Sequence, residues 1–190
     1  MSLNLSKSEK IDLTKDNPIA VVCLAGGWDP QLHDPNEEFD LDIFATGYDK
    51  DNNVVGVTYF GDKSGLSGCT LDGDNRTGEG DGDDETIETV LASIPDTAET
   101  IVFSINIFQG VAKGQHFGRV KDAFVRLYDK ADGKELAKFD LTEDHGGKDA
   151  IVAGKMYRHN GEWKFQAIGE SLIGDINEVN TAIPAILAKY

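Results

Sequence analysis

Residues 72–85 read D-G-D-N-R-T-G-E-G-D-G-D-D-E, and not one side chain among them is apolar. Asp72, Asp74, Glu79, Asp81, Asp83, Asp84 and Glu85 carry carboxylates, glycines stand at 73, 78, 80 and 82, and Arg76 is the only base. Such a segment has nothing to bury, and glycine is costly inside helices and strands. Any fold must therefore form around it and leave it as a loop. Carboxylates this crowded repel one another unless a cation neutralises them, and hard oxygens on a pliant backbone suit calcium. The stretch reads as a calcium-binding loop on an otherwise ordinary scaffold.

The rest of the chain predicts that scaffold. Alternation at residues 3–5 and 10–15 predicts two half-buried strands, with Ile11 and Leu13 on one face. I-A-V-V-C-L-A at 19–25 predicts a buried strand, and G-G-W-D-P at 26–30 a turn after it. Residues 39–48 and 52–60 predict a hairpin around an Asx-rich turn, followed by a Gly/Ser-rich loop at 61–71. T-I-E-T-V-L at 86–91 fits either a strand or the start of a helix, and E-T-I-V-F-S-I-N-I-F at 99–108 is the strongest strand by composition. Residues 110–118 and 144–147 read as loops, while Ala131-Asp132-Gly133 and Asn160-Gly161 mark two further hairpins. Ile176, Val179, Ile183 and Leu187 recur at helical spacing, with Pro184 expected to kink that helix or delay its start. Many short strands between turn signals predict an all-β fold: one antiparallel β-sandwich domain over residues 1–190, with one or two short helices, one of them C-terminal.

Charge narrows the partners. The 190 residues carry a net charge of −16, which opposes nucleic-acid phosphates and anionic membranes unless a cation intervenes. No run reaches the ~18 apolar residues of a membrane span, and the first ten residues lack the apolar segment of a signal peptide. Cys23 and Cys69 have no metal or redox spacing and fit a reducing cytosol; Cys23 reads as buried, which leaves Cys69 as the accessible thiol. His33, His116, His145 and His159 are scattered, and neither a nucleophile elbow nor a phosphate-binding loop occurs. Catalysis is weakly supported. The competing reading is a hydrolase or carbohydrate-binding sandwich that uses the acidic loop, with Trp28 or Trp163 stacking on a sugar rather than filling the core.

The spacing of the acidic stretch is not that of an EF-hand. Counting from Asp72 puts Arg76 at the fifth position and Thr77 at the glycine position, and counting from Asp74 puts Arg76 at the third. Ligands would instead come from loops and a strand end. Asp40 and Asp42 stand two apart in F-D-L-D, so their carboxylates share a face about 7 Å apart along the strand. With Asp83 and Asp84 they are the first candidates. Asp74, Glu79 and Asp81 would wrap the ion, with carbonyls such as those of Asn75 and Gly80. The acids outnumber what one ion needs, so two adjacent calcium ions are expected.

The motifs G-G-W-D at 26–29, F-D-L-D at 39–42, the acidic run at 73–85, I-V-F-S-I at 101–105, A-F-V-R-L at 123–127 and Y-R-H-N-G-E-W-K-F at 157–165 resemble the TerD family of bacterial tellurium-resistance and general-stress proteins. The resemblance covers nearly the whole chain. It implies a calcium-binding β-sandwich in the cytoplasm, linked to tellurite resistance and stress tolerance. It also implies partners among other Ter-system proteins, including a membrane-embedded component. The family's acids fall on Asp29, Asp40, Asp42, Asp74, Glu79, Asp81, Asp83, Asp84 and Glu85. The chain departs from the family at Tyr59-Phe60-Gly61, where an amide often follows the second hairpin strand, and in the loop at 61–71 and the tail after Gly169. Tellurite is an anion, so resistance is expected to be indirect rather than by sequestration on this acidic surface.

Overall fold

In the strand Thr100–Ile107 (β7), Ile101, Phe103, Ile105 and Ile107 point to one side and Val102, Ser104 and Asn106 to the other, and all are buried. A strand buried on both faces reads as a continuous apolar run, which is why this segment stood out by composition. The structure, a computed structural model, describes residues 8–14, 18–29, 38–80 and 82–190. The strand expected at residues 3–5 lies outside them.

Among the described residues, eleven strands form two antiparallel sheets. The first holds Lys10–Asp12 (β1), Glu162–Leu172 (β11), Ala150–His159 (β10), β7, Leu41–Tyr48 (β3) and Val54–Thr58 (β4), in that order. The second holds Cys69–Leu71 (β5), Glu85–Val90 (β6), Val21–Asp29 (β2), Lys121–Asp129 (β8) and Glu135–Asp140 (β9). Between them Leu24, Ile87, Val125 and Leu127 meet Ile43, Phe103, Ile105 and Phe165 in the main core. This is the expected sandwich, with three short helices: Gly110–Lys113 (α1), Leu141–Asp144 (α2) and the C-terminal Ile176–Leu187 (α3). No helix among the described residues is long and apolar enough to cross a membrane.

Helix α3 lies on the outer face of the first sheet, where Val179, Ile183 and Ile186 pack with Phe44, Tyr48, Val102, Val152 and Ile168. Asp175 caps it, accepting from the Asn177 N–H at 2.9 Å, and Glu178 closes the capping box. Pro184 sits inside the helix rather than before it. Proline has no N–H for the carbonyl four residues back. That carbonyl belongs to Asn180, and the Tyr48 hydroxyl donates to it at 3.4 Å.

Several sequence expectations need correction. Gly26 and Gly27 do not turn the chain but lie inside β2. A Cβ on Gly26 would stand 2.8 Å from Ile43 Cγ2, and one on Gly27 2.3 Å from the Gly82 carbonyl oxygen, so close approach of other chain segments is what requires glycine here. The stretch at 86–91 is strand β6, followed by a 3₁₀ turn at Leu91–Ser93. The Gly/Ser-rich loop ends in β5, and Cys69 within it is buried like Cys23; both are free thiols. The loop expected at 110–118 contains α1, while α2 runs only up to Asp144, where the loop expected at 144–147 begins.

Candidate metal centre

Asp42 sits second in β3 and Asp40 just before that strand, and both turn away from the main core. Asp74 approaches from the acidic loop. One carboxylate oxygen from each of the three lies within 4.8 Å of the others, a group that can hold a metal ion. Asp42 is 2% exposed. Its Oδ2 and the Oδ1 of Asp40 are buried with no hydrogen-bond partner among the described residues. Buried carboxylate oxygens left without donors are costly, and a cation is the group that would satisfy both. Burial, then the charges of Asp40 and Asp74, pushes the Asp42 carboxyl up to about 8, with Lys113 and Arg76 opposing. Burial and Asp74 raise Asp40 as well, again against Arg76 and Lys113. The three acids, Arg76, Phe60 and Phe108 enclose an open pocket of about 240 Å³. Arg76 holds its Nε 3.8 Å from Asp40 Oδ2.

The acids at the end of the loop lie outside that group and make bonds to the protein. On the β4 side the β3 ladder begins at Ala45, so the Ile43 N–H beyond it lacks a strand partner. Glu85 reaches across from the second sheet and accepts that N–H on Oε2 at 3.1 Å, while its Oε1 accepts from the Asn75 N–H at 3.1 Å. Its carboxyl is pushed up to about 8 by burial, with the Ile43 N–H opposing and Asp42 adding to the rise. Asp84 accepts from the Trp28 N–H at 2.8 Å and from Asn75 Nδ2 at 2.8 Å; burial raises its carboxyl too. Asp83 takes a two-pronged bond from Arg126 at 2.8 and 2.7 Å. Asp29 is paired with Lys121.

Asn75 is the hub of the loop. Its Oδ1 accepts from the N–H groups of Thr77 and Gly78, both at 3.1 Å, the Asx turn that its residue type favours. Gly78 follows at φ +67°, where a Cβ would fall 2.4 Å from the Trp28 ring. Trp28 is a core aromatic, 2% exposed, and its Nε1 donates to the Phe39 carbonyl at 3.0 Å, tying the loop to the approach of β3. Glu79 and Gly80 are exposed and stand outside the three-carboxylate group; Asp81 lies outside the described residues.

Sequence reasoning missed Asn106. It faces Asp42 in the β3–β7 register, is 2% exposed, and keeps an unpartnered Oδ1 beside a second pocket of about 180 Å³ that Asp42 also lines. A lone amide inside I-V-F-S-I-N-I was the available signal. Phe108, from the same segment, was likewise read as strand rather than as a pocket wall.

The chain matches the TerD domain over residues 1–182. It is 38% identical over 186 residues to general stress protein 16U of Bacillus subtilis, covering 95% of this chain and 96% of that one. It is 40% identical over 184 residues to the tellurium resistance protein TerD of Serratia marcescens, covering 94% and 95%. The crystal structure of a homologue of telluride resistance protein TerD from Streptomyces coelicolor shares the fold, with a TM-score of 0.74 over 85% of this chain and 95% of that one at 23% identity. A sandwich whose acidic loop is braced by Trp28 and Glu85 beside three converging carboxylates, together with these matches, makes the chain a member of the TerD family of tellurium resistance and general stress proteins.

Proposed function

We propose that the protein is a non-enzymatic calcium-binding stress protein whose ion is held by Asp40, Asp42 and Asp74. The observation that carries the reading is the pair of buried, unpartnered carboxylate oxygens on Asp40 and Asp42, two acids whose carboxylates converge with that of the exposed Asp74. The donor set is all carboxylate oxygen, which suits calcium, and calcium's six to eight oxygens leave room for further ligands. Bound calcium would keep Asp42 ionised at neutral pH. Asp83, Asp84 and Glu85 then serve as braces that fix the loop. This is the one group of three acids found among the described residues, so the two-ion expectation rests on the stoichiometry of a titration.

The names of the relatives describe resistance and stress rather than a reaction, which supports a role without catalysis. The free, buried thiols of Cys23 and Cys69 agree with a reducing cytoplasm. The ion-loaded face would dock other Ter-system proteins, including a membrane-embedded one, and so act on tellurite resistance indirectly.

Calorimetric titration of chelator-treated protein tests the ion. Saturating calcium, at 100 to 1,000 times the dissociation constant, should stabilise the fold by about 3–4 kcal/mol. Asp42→Asn should abolish the heat, while Asp83→Asn, which loosens only the Arg126 contact, should retain it. Equal loss in both variants, or no heat in the parent, would overturn this assignment.

A further inference from the structure

The pocket over the three carboxylates is far larger than an ion requires. At about 240 Å³ it exceeds several times the ~30 Å³ that one water occupies. Its floor holds Asp42, nine-tenths buried and more, with an unpartnered oxygen, so the feature is more than a cluster of surface acids. Its walls are of two kinds. Arg76, with a side chain 72% exposed and only a loose 3.8 Å contact to Asp40, supplies a movable guanidinium. Lys113 stands behind that lining, its ammonium 5.4 Å from the centre of the Phe108 ring and near enough to act on the charges of Asp40 and Asp42. Phe108 in turn meets Phe60 edge to face at 5.6 Å, and Phe60 is 36% exposed.

A divalent ion cancels two of the three carboxylate charges, so that Arg76 and Lys113 face far less negative charge, with Glu38 and Glu85 the acids left nearby. Loading strips from the two cations most of the carboxylate charge that occupies them. A guanidinium fork and an ammonium suit an oxyanion with several acceptor oxygens, and a phosphate monoester offers three. The aromatic pair beside them suits an apolar or flat group attached to that phosphate.

We propose that Arg76, Lys113, Phe60 and Phe108 form the recognition rim for a phosphate monoester carried on an apolar group, taken up only by the calcium-loaded protein. This rests on the calcium reading given above.

The probe is phenyl phosphate, titrated into isotope-labelled, calcium-loaded protein and followed by amide chemical shifts. Saturable shifts at Arg76, Phe60 and Phe108 that vanish with chelator are expected. Arg76→Gln and Lys113→Gln should each weaken the probe about tenfold, the size of a lost charged hydrogen bond. Phe60→Ala should weaken phenyl phosphate about threefold and leave inorganic phosphate unchanged. None of the three variants should weaken calcium itself. Sedimentation with phosphatidic acid vesicles separates the sources: cosedimentation assigns a lipid headgroup, and its absence alongside phenyl phosphate binding assigns a soluble ester. Normal calcium heat with neither probe bound overturns this proposal alone. Absence of calcium heat overturns both readings. Probe binding that ignores calcium, or that survives Arg76→Gln and Lys113→Gln unchanged, overturns the rim.

Discussion

Glu85 shows how a buried acid can brace the backbone around a loop. Two backbone N–H groups, one on β3 and one in the acidic loop, depend on its two oxygens. Glu85→Ala would leave the buried Ile43 N–H and the half-buried Asn75 N–H unpaired, at a cost of about 2 kcal/mol to folding by chemical denaturation. An unchanged denaturation midpoint would mean that other groups or water take over both bonds. The residue was legible in the sequence as one of seven acids, but its bracing role was not. Composition does not say which carboxylates meet N–H groups and which are left to meet a cation. Asp40 and Asp42 were legible as a pair, because period-two spacing alone puts them on one side of a strand. Asp74 joins them only through the path of the loop around Trp28.

Among the elements, most strand positions and the hairpins were readable because alternation and turn residues are local signals, whereas the order of the strands within each sheet was not. The errors came where tertiary packing overrides them. Gly26 and Gly27 look like a turn until Ile43 and Gly82 are brought against them, and β5 is too short to show a pattern. The double covering of the first sheet was written in the apolar run of β7, and the helix that covers it in the spacing of α3. That helix contributes its stability through one face. Ile183 is fully buried there, and Ile183→Ala should cost about 2–5 kcal/mol, read as a lowered denaturation midpoint. A cost near zero would mean that α3 is not anchored to the sheet by this face.

For the whole molecule the acids set the pH response. Asp42 and Glu85 are each pushed up to about 8, burial being the first cause in both. Unfolded, both carboxyls would titrate near 4. Between these values the folded chain holds protons that the unfolded chain has released, so stability falls as pH rises from about 4 to about 8. In chelator, the melting temperature should therefore be lower at pH 8 than at pH 5. Calcium, which favours the ionised form, should shrink the difference, as should Asp42→Asn combined with Glu85→Gln. A melting temperature that climbs over this range would contradict the burial of these two groups.

The bonds that brace the acidic loop also set a timetable. The strands that pair with β3 and β2 from later in the chain, β7 and β8, come after every carboxylate of the acidic loop and of the candidate site. A ribosome-bound nascent chain that has emerged only as far as β6 carries every acid of the loop and of the candidate site and has no sandwich to hold them. On the calcium reading, the ion would not template folding but would be captured after the second half has been made. Chains stalled before β7 should gain no calcium-dependent protection from protease, and full-length chains released from the ribosome should gain it.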